Sequence, residues 1–375
     1  MRPLSRLLVV VGFLAFICVP LVLTLAGQRP GATDNRAAGD LPALSARRLV
    51  DEQTYQELDR YLSDQFALRA LAIRADAKLD DVLWKGDRGD VRRGEDGWLY
   101  YAPSLTQLCT EPLAPVDAVR VLDRFAAGLE SQGTTFRYLL VPEKSTLYPE
   151  HLTDRLRDDA ACGREAVDVL RGELGQPTRP WYVDLYEPLA ELKARHVEPV
   201  YHQRDTHWNA VGASRFVAEV VRSLDPDLEP DDELRQVGTV PFELDLTRLL
   251  GLPQTVQIPQ FQAVRPGVTT TAGEERTVQG AVPLLRYTSS STGAGVVDGR
   301  SVVIYDSFGL AALDLLAPFF ADVTFVHWNA LGDPQVEALL DGADTVVAEG
   351  AEREFTWRMA DKLQATGLAD RWQGG

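Results

Sequence analysis

The chain has 375 residues, 55 of them acidic against 38 basic, and a net charge of −17. Its 45% hydrophobic and 25% charged residues are the mix of a globular protein, which excludes a wholly disordered chain, a fibrous one and a multi-span membrane protein. So acidic a surface repels phosphate, and nucleic acid is not expected as a partner.

Arg2 and Arg6 precede Leu7 to Ala26, a stretch without a single charge. As a helix it would be roughly 30 Å long, enough to cross the hydrocarbon core. The basic flank places the N-terminus in the cytoplasm. The run exceeds the ~7–15 apolar residues of a signal-peptide core, so residues 1–30 are expected to be an uncleaved signal anchor. A cleaved signal is the alternative, since Thr24-Leu25-Ala26 loosely resembles a processing site. Either way the rest of the chain is exported, giving a single-pass cell-membrane protein with its domain outside the cytoplasm. Residues 31–45 read as a tether, rich in Gly, Pro, Ala and Asp. Residues 46–375 read as the folded domain.

From Ala46 to Trp84, apolar residues such as Leu58, Tyr61, Leu62 and Phe66 recur at spacings of three and four and predict helix. Gly94 to Gly97 is a turn, and Trp98 begins a strand. Strands and helices then alternate. Strands are predicted at Thr135–Val141, Trp181–Leu185, Ser301–Tyr305, Val323–Val326 and Thr345–Ala348. Helices are predicted at Asp117–Leu129, Glu165–Leu174, Pro188–Arg195, Ala210–Leu224, Gly309–Phe320, Pro334–Leu340 and Glu352–Thr366. Short apolar strands alternating with helices predict an α/β fold: a parallel sheet with helices on both faces. Between residues 225 and 300 Pro, Thr, Ser and Gly interrupt the pattern, and a β-rich insertion is expected there.

Cys109 and Cys162 are the only cysteines after the apolar run. An oxidising compartment favours a disulfide between them; two separate buried thiols are the alternative. No Cys/His cluster points to a metal site, and no cofactor is expected.

Two short segments carry candidate chemistry. In Arg204-Asp205-Thr206-His207-Trp208-Asn209, a bend would bring the Asp205 carboxylate to the His207 imidazole, as a general base requires. The bland alternative makes Asn209 a helix cap and leaves Asp205 and His207 as loop residues. In Val302 to Phe308, an apolar strand ends in Asp306-Ser307 and a helical stretch follows. Ligands of open α/β sheets bind past the carboxyl ends of strands, where the Ser307 N–H would face an oxyanion. Here too the bland alternative is a helix cap. Taken together the segments supply nucleophile, base and orienter.

Asp205-Thr206-His207-Trp208-Asn209-x-x-Gly212, followed by Asp306-Ser307-Phe308, resembles the alginate O-acetyltransferase family of SGNH-hydrolase-like proteins. In the same order come Gly94 to Tyr100 (G-x-D-G-W-L-Y), Val141 to Pro149 (V-P-x-K-S-x-x-Y-P), Asp245-Leu246 and Glu349 to Phe355 (EGAEREF). The resemblance implies a three-layer SGNH-hydrolase-like domain with Ser307 as nucleophile, His207 as base and Asp205 as its orienter. One departure is Tyr305, where the family commonly has Gly. Lys144 and Tyr148 are candidate substrate or oxyanion contacts, with a solvated loop as the alternative for Lys144. Trp208 is a candidate to stack on a sugar face or to pack beside His207.

The function expected is O-acetylation of a cell-surface or exported polysaccharide through an acyl-serine, with a membrane-bound acyltransferase supplying the acetyl group. A deacetylating carbohydrate esterase with the same triad is one alternative. A non-catalytic polysaccharide-binding assembly protein is another.

Overall fold

A computed structural model describes residues 87–195, 199–273, 275–278, 282–293 and 295–372, the helix Glu52–Gln65 and a few isolated positions before residue 80. The expected anchor, Leu7 to Ala26, lies for the most part outside them. Among the described residues no helix is long and apolar enough to cross a membrane. Packing divides the chain into two units: residues 1–89 with 243–254, and residues 90–242 with 255–375.

In the first unit the helix Glu52–Gln65 falls within the stretch predicted to be helical, and Asp245–Leu249 forms a short helix. The Thr247 hydroxyl donates to the Leu244 carbonyl and accepts the Gln254 N–H, closing that segment on itself.

The second unit is built on a mixed sheet. Its strands, in chain order, begin with β1 (Val91–Arg93) and β2 (Leu99–Tyr101), which form a separate antiparallel pair. Then come β3 (Thr135–Val141), β4 (Tyr182–Val183), β5 (Leu234–Glu243) and β6 (Thr255–Ala263). The remainder are β7 (Val268–Ala272), β8 (Arg276–Val278), β9 (Val282–Ser291), β10 (Val297–Tyr305), β11 (Phe320–His327) and β12 (Thr345–Ala351). The main sheet runs β4-β3-β12-β10-β11-β9-β7, with β8 also on β9. From β4 to β11 every pairing is parallel; β9, β7 and β8 add antiparallel strands.

The expectation of a wholly parallel sheet is therefore corrected. Within residues 225–300, β7, β8 and β9 extend the sheet, while β5 and β6 pair with each other. Their polar, alternating character is that of strands with one solvated face, so they lack the continuous apolar run of the central strands.

The central strands bury both faces. Val303, Tyr305, Phe325 and Val347 enter one core with Phe216, Val217 and Val221 of the helix Ala210–Leu224. Val302, Ile304, Val326 and Val346 enter the other with Val119, Leu122 and Phe125 of the helix Pro115–Ser131 and Val336 of the helix Pro334–Leu340. Successive residues of a strand thus face opposite cores, the geometry of a three-layer sandwich. Two long predicted helices are broken. After Phe308 come a 3₁₀ turn (Gly309–Ala311), one helical turn (Leu313–Leu316) and a second 3₁₀ turn. Residues 352–365 pass through a 3₁₀ turn and a π-helical stretch before Asp361–Ala365.

Cys109 and Cys162 are bonded to each other, joining the helices Pro103–Thr110 and Ala161–Leu174. Their sequence separation of 53 closes a long loop. Replacing both by Ala is expected to lower unfolding free energy by about 3–4 kcal/mol. Equilibrium denaturation of oxidised wild type against the double variant measures this; an unchanged midpoint would show the bridge contributes nothing.

Candidate active site

The site lies past the carboxyl ends of β3, β10 and β12. Three segments build it: the turn after β10, the loop before the helix Ala210–Leu224, and the residues following β3 and β12.

The loop at 200–209 is a narrow hairpin. Tyr201 and Trp208 form an antiparallel bridge, the Asn209 N–H donates to the Val200 carbonyl, and the His202 N–H donates to the His207 carbonyl. Asn209 caps the next helix, its Oδ1 accepting from Val211 N–H at 3.0 Å and Gly212 N–H at 3.2 Å. The cap is made by Asn209 alone, and Asp205 and His207 are engaged with each other. Asp205, fully buried, accepts the His207 N–H at 3.0 Å and lies 2.9 Å from His207 Nδ1, both through Oδ1. His207 Nε2 lies 3.0 Å from Ser307 Oγ. The His207 ring rests 4.9 Å from the Phe308 ring.

Ser307 caps no helix: the following 3₁₀ turn has Phe308 at its cap position, with no side-chain cap bond. Asp306 shapes the turn instead. Its Oδ1 accepts the Phe308 N–H at 2.7 Å and its Oδ2 accepts the Ala351 N–H at 2.8 Å. The Phe308 N–H is thereby committed and cannot serve an oxyanion. The Ser307 N–H has no acceptor among the described residues and remains the backbone donor for that role. Tyr305 is buried, with its ring edge-on to His327.

The other three candidates support the site without facing a substrate. Lys144 is buried, and its Nζ donates to the carbonyls of His202, Gln203 and Asp205 at 3.2, 3.2 and 2.6 Å. An ammonium has three protons, so this set uses all of them. Lys144 clamps the Asp205-His207 loop; it is neither a solvated loop residue nor an oxyanion donor. The Tyr148 hydroxyl accepts the Val200 N–H at 2.9 Å, and burial pushes its pKa up to about 12. Trp208 is buried against Phe216 and Phe308, and its indole N–H donates to the Phe308 carbonyl at 3.1 Å. It ties the histidine loop to the serine turn, and no face of it is open to a sugar.

Further charged residues surround the turn. Glu349 Oε1 accepts the Asp306 N–H at 2.8 Å. Burial, then the adjacent Asp306 carboxylate, pushes the Glu349 pKa well above the usual carboxyl range, favouring its protonated form. Glu352 Oε2 accepts from the Glu143 N–H and the Thr146 hydroxyl; burial outweighs these bonds and raises its pKa to about 8. Buried Arg353 pairs with Glu143 at 2.5 Å, its guanidinium 5.4 Å from the Phe308 ring centre. Burial, then Asp306, raises Glu354 to about 7. The EGAEREF segment was visible in the sequence as a motif; its role in bracing Asp306 and the Lys144 segment was not, because those contacts join distant parts of the chain. His202 packs 5.3 Å from Phe242, and burial lowers its pKa to about 4.

These shifts have a sign. A carboxyl raised by burial binds its proton more tightly folded than unfolded, so stability falls as pH rises from about 4.5 through the folded value. His202 acts oppositely, with stability lost as pH falls from its usual 6.5 toward about 4. Between pH 6.5 and 8, Glu352 and Glu354 are expected to lower stability by on the order of 2 kcal/mol, and Glu352→Gln should flatten the slope. Denaturant midpoints across that range test it; a stability rising with pH there would contradict the protonated carboxyls.

Residues 91–292 match the family described as "SGNH hydrolase-like domain, acetyltransferase AlgX". The chain belongs to this family. The matched stretch carries Lys144, Asp205 and His207, and Ser307 lies past its end. Relatives of the family member include "Probable alginate O-acetylase AlgJ" of Pseudomonas syringae pv. tomato, 24% identical over 227 residues, covering 59% of this chain and 57% of that one. The protein of the same description from Pseudomonas aeruginosa is 27% identical over 237 residues, covering 58% and 54%. The chain thus matches a little over half the length of these relatives. The solved structure of Bacillus cereus PatB1 with a sulfonyl adduct has a TM-score of 0.53 at 15% identity, covering 72% of this chain and 98% of that one, a likeness of fold.

Proposed function

We propose that this family member transfers an acetyl group to a hydroxyl of an exported polysaccharide through an acyl-Ser307 intermediate. The carrying observation is the unbroken contact chain from Asp205 through His207 to Ser307 at 2.9 and 3.0 Å. In the first half-reaction Ser307 Oγ attacks the acyl carbon while His207 Nε2 takes its proton. The oxyanion faces the Ser307 N–H. Collapse expels the donor's leaving group, which receives that proton from His207, and leaves the acyl-serine. In the second half a sugar hydroxyl attacks the acyl carbon and gives its proton to His207, which returns it to Ser307 Oγ. Asp205 holds Nδ1–H and stabilises the imidazolium in both halves. The relatives' description as alginate O-acetylases supports transfer to a polysaccharide over hydrolysis.

Export is supported by the apolar stretch Leu7 to Ala26 and by the Cys109–Cys162 bond. Acetyl-CoA is cytoplasmic, so on this reading a membrane-bound acyltransferase delivers the acetyl group.

The test is incubation with an aryl acetate and candidate oligosaccharides, read by mass spectrometry. Acetylated sugar is the expected product. Free acetate alone would make the protein an esterase, and no release of the aryl alcohol would end the enzymatic reading.

A further inference from the structure

One cavity lies toward the opposite end of the sheet from Ser307. Paired strands share a face at every second residue, so Arg300 and Val302 of β10, Asp322 of β11, and Leu284 and Arg286 of β9 stand on one face. Arg276 of β8 is in register with Leu284. With Leu339 of the helix Pro334–Leu340 they line a cavity of about 660 Å³. Arg300 stands near the start of β10 and Ser307 past its end, so a ligand held here leaves the candidate active site uncovered.

The cavity separates two kinds of surface by depth. Its floor is apolar: Leu284 and Val302 are buried, and Leu339 is half-buried beside them. Its rim is cationic, with Arg276, Arg286 and Arg300 all exposed. The one carboxylate of the lining, Asp322, is engaged by Arg286 through contacts of 2.9 and 2.6 Å. Among the described residues no carboxylate lies within ion-pair reach of Arg276 or Arg300. Two such guanidiniums on one rim run against the net charge of −17 of the whole chain. Arg300 is also seated: a Cβ at Gly342 would stand 3.0 Å from both Nη1 and Nη2, so the bare glycine makes room for the guanidinium.

A small hydrophilic anion such as free phosphate would satisfy the rim and leave the apolar floor wet. A neutral apolar ligand would cover the floor and leave the arginines unmatched. An amphiphile with an anionic head meets both demands. A phosphodiester presents two non-bridging oxygens to a guanidinium fork, and an acyl chain below it removes the floor from water. Arginine heads at the level of lipid phosphates, with their stems along apolar surface, are the ordinary arrangement at a bilayer interface. We propose that this cavity binds the headgroup and upper acyl chain of an anionic phospholipid. The inference draws on the anchor reading above for the nearness of a bilayer: residues 1–30 would span it, and the tether of residues 31–45 would keep the domain beside it. The two arginines then give the domain a second hold on that surface.

Photolabelling of the full chain in phosphatidylcholine vesicles tests this. The vesicles carry a small fraction of photoreactive phosphatidylglycerol, or of photoreactive phosphatidylcholine with the same chains, and labelled peptides are mapped by mass spectrometry. Phosphatidylglycerol should label the peptides of β9, β10 and the helix Pro334–Leu340, and less so as salt rises. Phosphatidylcholine should label them far less. The double variant Arg276→Gln/Arg300→Gln should lose about tenfold of that label, and Gly342→Ala a few-fold through displacement of Arg300. Melting temperatures establish that both variants are folded, and their aryl acetate turnover should match wild type. Absence of label at these peptides, equal labelling of the double variant and wild type, or equal labelling by the two lipids would each overturn the proposal. So would loss of the label to excess inorganic phosphate, which would make the ligand a free anion. Label within residues 7–26 is read separately: its absence refutes the anchor without touching the cavity, so the two failures are distinguishable.

Discussion

Ser307→Ala is expected to abolish acyl transfer and ester hydrolysis together, and His207→Ala to do nearly the same. Both follow from the contact of 3.0 Å between His207 Nε2 and Ser307 Oγ, because the nucleophile is inert until its proton has somewhere to go. Losses on the order of 10³–10⁶ in rate are expected, and they should not add in the double variant. Asp205→Asn should cost less. The amide retains an oxygen for the two N–H groups that Asp205 Oδ1 accepts, but it cannot neutralise the imidazolium. Aryl acetate turnover and melting temperature measured on each variant decide the matter. A Ser307→Ala protein that melts near wild type and turns over normally would remove Ser307 from the chemistry.

The second large effect belongs to Asp306. Its two carboxylate oxygens accept the N–H groups of Phe308 and Ala351, and it is fully buried. Asn at 306 can accept from one N–H only, and turns its own N–H toward the other. The expected cost is about 2–4 kcal/mol of stability. Activity should fall as well, since the turn that presents Ser307 is the turn that loosens. The pattern differs from Ser307→Ala, which removes activity from a stable protein. Glu349→Gln should be mild by contrast, because burial favours the neutral form of Glu349 and an amide oxygen can still accept the Asp306 N–H. An Asp306→Asn protein as stable as wild type would show that the clamp adds nothing.

How much of this was legible in the sequence follows from the range of the interactions involved. Asp205 and His207 are two residues apart, and their contact is local, so the pairing was readable. Ser307 stood at the end of an apolar strand, where the direction of β10 fixes its exposure. The helix Ala210–Leu224 matched its periodicity because one face packs on the sheet and Asn209 starts it. Lys144 was misread because its three acceptors lie in residues 202–205, beyond any local pattern. Trp208 was ambiguous for the same reason: only Phe308, one hundred residues later, settles its place. The helix predicted over Gly309–Phe320 failed where Pro318 and the turn around Asp306 compete with helical hydrogen bonding. In β9 and β7, threonines and serines on a solvated face hid the extension of the sheet.

The strand order has a consequence for when the candidate site is assembled. β10, which ends beside Ser307, lies between β12 and β11, and both follow it in the chain. β3, emerging early, has no contact with β10 until β12 is slotted between them. The Asp306 clamp likewise waits on Ala351, at the end of β12. A chain in which β12 is not yet paired therefore lacks both the strand that joins β3 to β10 and the clamp on the Ser307 turn. The candidate site is complete only once the last strand is in place.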